Sequence, residues 1–369
     1  MTTRVPTRPP RVLMFSHRNI YEIEVWRSSL REFEDIVCDI DAVDLVAPPP
    51  GRWYRQRRRI ALRVGRDSDI ILNPGLPRIA LQRDYDLFFA ICEKTSELLH
   101  LAAVEGWRDR CRTSICLVSE LWAKEMPYFT SCLKMLGKFD HVFSYLSQSV
   151  EAIDAAIPGH CSYLAPGVDA ALFRPHPRAD RSIDVFSLGR RDEQVHQALL
   201  RVARNNGMFY VYDSIDGLRA HDLEQHRLLI ANMAKRSRYF VAYPAKWDSP
   251  HERGNQSEMG ARYFEGAAAG TIMIGEPPTT EQFAKTFFWP DAVVRLPRDP
   301  RGIEEVMTEM DQQPDRQEKV RKTNVAQALR RHDWVHRWQT VLDRAGLAPL
   351  PALVQRRERL ADLAAAFEG

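Results

Sequence analysis

Glu265 and Arg190 are the two residues of this chain whose surroundings best suit chemistry. Glu265 opens the run Glu265-Gly-Ala-Ala-Ala-Gly270, and an apolar stretch, residues 271–275, follows at once. The pattern predicts a tight helix, a glycine stop and a buried strand. A carboxylate at that place accepts two parallel hydrogen bonds from a vicinal diol. Arg190 follows Gly189 at the end of another apolar stretch, residues 183–188. A guanidinium in such a turn presents a planar fork to a diphosphate. It also stabilises charge that grows on a phosphate as a bond to it breaks.

Other polar residues stand in related places. The loop at residues 246–257 is long and polar, and its length favours a functional role. Lys246, Arg253 and Arg262 in and after it are further cations. Asn255, Gln256 and Ser257 can bond hydroxyl groups, and Glu258 follows them. Earlier in the chain Ser16 and His17, Glu93, and Glu120 each close an apolar stretch. A histidine or carboxylate at a strand end can act as a base, which makes His17 and Glu120 catalytic candidates. The triplets Asp39-Ile-Asp41 and Asp67-Ser-Asp69 have the form of a divalent-cation ligand pair. The second precedes its apolar run, at the wrong end of a strand for a ligand cleft, and no metal site is expected. Residues 52–66 form the densest basic stretch. At helical spacing Trp53, Ile60 and Val64 fall near one face. Such a helix either packs by that stripe or touches anionic lipid or a lipid-diphosphate.

These residues need a frame, and 369 residues are enough for two domains. Composition is 44% hydrophobic and 27% charged, which supports a sizeable core. The 52 basic against 49 acidic residues leave +3, too little to argue for nucleic acid. Six cysteines lie scattered without a Cys-x-x-Cys pair, which argues for a reduced, cytoplasmic protein. No apolar run reaches membrane-spanning length. Residues 1–10 read as a flexible tail without the apolar core of a signal peptide.

Alternation of short apolar runs and helical patterns predicts strands at 11–17, 39–47, 68–72, 85–92, 113–119 and 141–145, with helices at 22–33, 98–110 and 149–156. A proline-rich break at 166–181 reads as a linker. The alternation restarts with strands at 183–188, 208–212, 239–243, 271–274 and 292–296 and helices at 193–205 and 223–235. Helices cover most of 314–345 and then 354–367. The expectation is an α/β protein of two Rossmann-like, doubly wound domains, residues 11–165 and 182–345, facing each other across a cleft. A helical tail, 346–369, can return to the first domain. Ligands of such folds bind at the carboxyl ends of the strands.

Three stretches carry a family resemblance. They are Tyr163-Leu-Ala-Pro-Gly-Val-Asp169 with Phe173-Arg-Pro175, then Ile183 to Gly189-Arg190-Arg191, then Arg262-Tyr-Phe-Glu265 with Ala269-Gly270. In this order and span, about residues 140–345, the chain resembles the group 1 glycosyltransferases of the GT-B architecture, most of all the CgeB-like branch, which are of the retaining type. The resemblance implies a nucleotide-diphosphate sugar held mainly by the second domain, with Glu265 on the ribose and Arg190 on the diphosphate. Gly189, Lys246, Asn255, Ser257 and Arg262 complete the donor-binding candidates. The resemblance implies an acceptor on the first domain, either a glycan, a lipid-linked group or a small molecule. It further implies no cofactor, no metal and a cytoplasmic enzyme of glycan or polysaccharide synthesis.

The chain departs from the family in two places. The lysine that follows the first turn is missing from Arg191-Asp-Glu-Gln-Val-His196. The partner glutamate, which falls at Ser257, is replaced by Glu258 one residue on. These departures leave open a non-catalytic protein that only binds a nucleotide or glycan. An epimerase of similar architecture ranks behind both.

Overall fold

The computed structural model describes residues 9–67, 70–128, 130–176, 180–214 and 219–368. The chain forms two compact units. The first is residues 1–165 with 337–354, and the second is residues 166–336 with 355–369.

Among the described residues the first unit holds eight strands: β1 (Val12–Phe15), β2 (Val43–Val46), β3 (Ile79–Ala80), β4 (Tyr85–Lys94), β5 (Val104–Glu105), β6 (Cys111–Glu120), β7 (His141–Ser144) and β8 (Cys161–Tyr163). Six of them make a parallel sheet in the order β2-β1-β4-β6-β7-β8, and β3 pairs with β5. The central strands β1, β4 and β6 are almost continuously apolar because helices cover both faces of such a sheet.

Several sequence readings shift here. Residues 39–40 complete the helix Ser28–Ile40, so only Val43–Val46 is a strand. Of the strand expected at 68–72, residues 68 and 69 lie outside the described residues and 70–72 are irregular. The helix expected at 98–110 is a 3-10 segment, Thr95–Ala103, then β5, then the short helix Trp107–Arg110. Leu98, Leu99 and Leu101 are all buried, and a wider α-helical spiral would expose one of them. The helix Trp334–Ala345 contributes Trp338 to this unit. Trp338 is fully buried against Phe89 and donates to Asp41 Oδ2 at 2.8 Å. Arg11 grips the same carboxylate through two bonds of 2.8 Å, so Asp41 is a tie between elements.

The second unit holds β9 (Ile183–Ser187), β10 (Tyr210–Tyr212), β11 (Ser237–Ala242), β12 (Ile272–Gly275) and β13 (Val294–Arg295). All run parallel in the order β10-β9-β11-β12-β13. Its helices start where capping predicts. The Asp192 side chain accepts from the amides of Gln194 and Val195, and Asp222 does the same for Glu224 and Gln225. Helix Ala261–Ala268 ends with Gly270 at φ 60°, a left-handed turn that favours glycine. Gly266 lets that helix sit on the sheet: a Cβ there would lie 2.8 Å from Met273 Cγ and 2.9 Å from Phe240 Cδ1. Residues 166–176 also pack in this unit. Val168, Ala170 and Phe173 are buried, and Asp333 accepts from the Ala170 amide at 3.0 Å. Arg356, on helix Pro351–Ala365, bonds both Asp333 and Asp169.

Candidate functional site

The carboxyl ends of β9, β11 and β12 lie on one edge of the second sheet because all three strands are parallel. After β9 comes Gly189 at φ 78°, then Arg190. After β11 comes the loop that starts near Lys246. Lys246 has φ 51°, a strained value for a residue with a side chain, of the kind that clusters at functional loops. Arg190 donates to Asp248 Oδ1 and to Ser249 Oγ, each at 2.7 Å, and its side chain is 47% exposed. Lys246 Nζ donates to Glu252 Oε2 at 2.6 Å. That bond, and then the charges of Lys246 and Arg190, hold the Glu252 carboxyl below its ordinary range despite some burial. Arg190, Lys246, Ser249 and Glu252 thus form one polar group.

Glu265 sits in the middle of its helix rather than in the first turn, and only 1% of it is exposed. Its two oxygens accept from Arg227 and Arg262. Burial would raise its pKa. The charges of Arg262 and Arg227 and their hydrogen bonds outweigh burial and bring it to about 2. Arg262 also reaches the first turn: its Nε donates to the Leu188 carbonyl at 3.1 Å, and a Cβ on Gly189 would lie 3.4 Å from its Nη2. One guanidinium therefore runs from Glu265 to the turn that carries Arg190, and Gly189, Arg262 and Glu265 come together.

The remaining second-unit candidates lie along the loop. Glu258 is buried and accepts from Gln256 Nε2 at 3.3 Å. Arg253 bonds the Gly254 and Gln256 carbonyls and covers the Trp247 ring. Ser257 is half-buried and Asn255 is exposed.

In the first unit His17 and Glu93 end up in one buried polar cluster with Arg27, Glu97 and His100. Arg27 Nη1 donates to Glu97 Oε2 at 2.9 Å, and the Glu93 amide donates to the same oxygen at 2.8 Å. His17 Nδ1 lies 3.1 Å from the Ile91 carbonyl, which assigns the proton to Nδ1. Its Nε2 is buried with no hydrogen-bond partner. Burial, and then Arg27, keep the His17 pKa well below the ordinary value, so the ring is neutral. Burial pushes Glu93 well above the carboxylate range although Arg27 opposes it. Among the described residues His17, Cys92 and Glu97 are the group whose ligand atoms approach closely enough for a metal. The Arg27 cation already neutralises Glu97 there. Ser16 donates to Glu34 at 2.6 Å, and Glu120, in register with Lys94, lies close enough for its charge to act on Glu93.

The basic stretch is helical over Tyr54–Asp67, but the face differs from the predicted one. Tyr54, Ala61 and Leu62 pack inward, while Trp53 and Ile60 are 56% and 59% exposed. Trp53 and Ile60 of the predicted stripe are therefore offered to solvent among arginines, while Val64 is half-buried.

Sequence reasoning missed Arg227, Asp248, Arg27, Glu97 and His100. Arg227 left a signal. It takes a core position of helix Leu223–Lys235, in line with Leu223, Ile230, Ala231 and Ala234. An arginine on an apolar stripe requires a buried acid.

Residues 210–343 match the family described as glycosyl transferase-like. No curated protein matches the chain in sequence. Solved structures do match in fold. Anabaena Alr3699/HepE in complex with UDP-glucose is 10% identical and aligns over 91% of this chain and 99% of its own, with a TM-score of 0.51. An alpha-glucosyltransferase in complex with UDP and a mismatched 13-mer DNA gives 10% identity, the same 91% and 99%, and a TM-score of 0.53. The chain has the fold of GT-B glycosyltransferases, and residues 210–343 are its glycosyl transferase-like segment. Its second unit carries most of the glycosyl transferase-like segment, with Glu265 and Arg262 inside it.

Proposed function

We propose that this protein transfers a sugar from a nucleotide diphosphate to an acceptor, within the retaining, CgeB-like branch of the group 1 enzymes. One observation carries the reading: Arg262 joins Glu265 to the turn that bears Gly189 and Arg190. In the resting protein Arg262 covers Glu265. When a donor arrives, Arg262 moves from the carboxylate to the diphosphate, beside Arg190, and Glu265 then takes the ribose hydroxyls. Lys246 supplies the cation absent from residues 191–196. These cations neutralise the departing phosphate, so transfer needs no metal.

Calorimetry with UDP, GDP and ADP, followed by transfer assays on a panel of nucleotide sugars with and without EDTA, tests the proposal. The expected result is binding of one nucleotide and a rate that EDTA leaves unchanged. Absence of binding to all three rejects the donor site. Binding without transfer or donor conversion favours the non-catalytic alternative, and conversion without acceptor indicates an epimerase. The anomeric proton of the product, read by NMR, decides retention.

Among the described residues no helix is long and apolar enough to cross a membrane. We place the protein in the cytoplasm, with the exposed Trp53 and Ile60 and the arginines around them against anionic lipid that presents a lipid-linked acceptor. The chain is expected to sediment with phosphatidylserine vesicles and not with neutral ones, and Trp53→Ser with Ile60→Ser to abolish it. Equal sedimentation with both vesicles overturns the placement.

A further inference from the structure

At the amino ends of the second sheet, away from the edge that carries Arg190, lies a cavity of about 660 Å³. Arg174, Arg181, Arg238, Arg321 and Lys322 line it, with Glu318 and Asp180 as its acids. The charges do not balance. Arg238 is matched by Asp184 and Asp311, and Lys322 lies 3.9 Å from Glu318. Arg181 spends its donors on backbone, at 2.6 Å to the Ser237 carbonyl and 3.0 Å to Ala269. Arg321 donates to the Gln317 side chain at 2.9 Å, and its Nε is buried without a partner, as is Nε of Arg174. Among the described residues none of Arg174, Arg181 and Arg321 has a carboxylate in ion-pair range.

Three guanidiniums without a carboxylate at ion-pair distance around one cavity are costly in an empty protein, although Glu318 offsets part of the charge on Arg181 and Arg321. Burial, and then repulsion by Arg321, bring the Arg181 pKa down to about 10. Burial, and then Arg238, lower that of Arg321. Another charged cavity, at the amino ends of β4 and β6, sets Asp84, Asp86 and Asp109 beside its arginines.

We infer that the cavity between Arg174, Arg181 and Arg321 is a binding site for a phosphate-bearing small molecule, separate from the donor site. An oxyanion there accepts from Arg174 Nε and Arg321 Nε and relieves the repulsion between the arginines. The cavity is several times larger than a phosphate group, so it also has room for the rest of a phosphorylated molecule. Phe367 forms part of the wall.

The test is thermal unfolding and calorimetry of the full chain with inorganic phosphate, in the presence of UDP to block the donor site. At ten times its dissociation constant, phosphate is expected to raise the unfolding temperature by roughly 3–5 °C. Arg321→Gln is expected to weaken phosphate at least ten-fold, while its phosphate-free unfolding temperature stays level or rises, because a desolvated, repelled cation has gone. Arg174→Gln serves as the second variant if Arg321→Gln unfolds early. No phosphate-dependent rise, an equal rise in both variants, or an equal rise with chloride at matched ionic strength overturns the site. Glycerol 3-phosphate tells the sources apart: tighter binding than inorganic phosphate assigns the cavity to a phosphomonoester, and weaker binding assigns it to free phosphate.

Discussion

Glutamine in place of Glu265 is expected to lower the unfolding temperature by roughly 6–12 °C at neutral pH. The carboxylate is buried, and it is the shared partner of Arg227, itself 4% exposed, and Arg262. Removing one member of a buried ion pair leaves an uncompensated charge, which costs about 3–5 kcal/mol. The depressed pKa gives the same scale independently. A fall from 4.5 to about 2 corresponds to a contribution on the order of 3 kcal/mol.

The sign follows from which state holds the proton. The unfolded carboxyl takes a proton near pH 4.5, and the folded one only near 2. The contribution of Glu265 is therefore complete above about pH 5 and disappears as pH falls from 4.5 toward 2. Denaturation of wild type and Glu265→Gln across that range checks it. A stability difference that persists unchanged at pH 2.5 removes the ion-pair explanation. The same variant should bind nucleotide weakly, because an amide in place of the carboxylate no longer accepts two bonds from the ribose hydroxyls.

Alanine at Arg190 is expected to act in the opposite manner, with little effect on folding and a large one on turnover. Its ion pair with Asp248 is about half exposed, and exposed pairs contribute roughly 0–1 kcal/mol. A donor that stabilises developing charge is worth about 10²–10³ in rate. The variant should therefore keep its unfolding temperature and its affinity for the nucleotide, and lose kcat by that factor. Arg190→Lys should recover part of the loss, since an ammonium keeps the charge without the fork. Asp248→Asn gives a complementary reading: Arg190 is freed from its partner while Ser249 still holds it. An unchanged kcat in Arg190→Ala, or a loss confined to KM, assigns this arginine to binding alone.

Much of the frame was legible along the chain. Strands β9, β11 and β12 are apolar runs that end in polar loops, and parallel pairing puts every such end on one edge. That reasoning places Gly189, Arg190, Lys246, Arg262 and Glu265 in the same region without any coordinates. The caps at Asp192 and Asp222 and the left-handed Gly270 are equally local, since each signal acts within three or four residues. The reading failed where local patterns compete. At 98–110 helical spacing gave way to a 3-10 turn that buries successive leucines. Around residue 53 two stripes were possible on the same helix, and Tyr54, Ala61 and Leu62 took the inner face.

What the sequence alone determined is the order of elements, their α/β class and the chemistry available at each strand end. These depend on periodicity and capping, which neighbouring residues impose on each other. Tertiary structure alone decided the partners. Arg227 meets Glu265 across 38 positions, and Trp338 meets Asp41 across 297. No local rule selects such pairs. Once packing removes water from a charge or an indole N–H, a hydrogen-bond partner must be found among whatever the fold brings near, and only the assembled core specifies which residue that is.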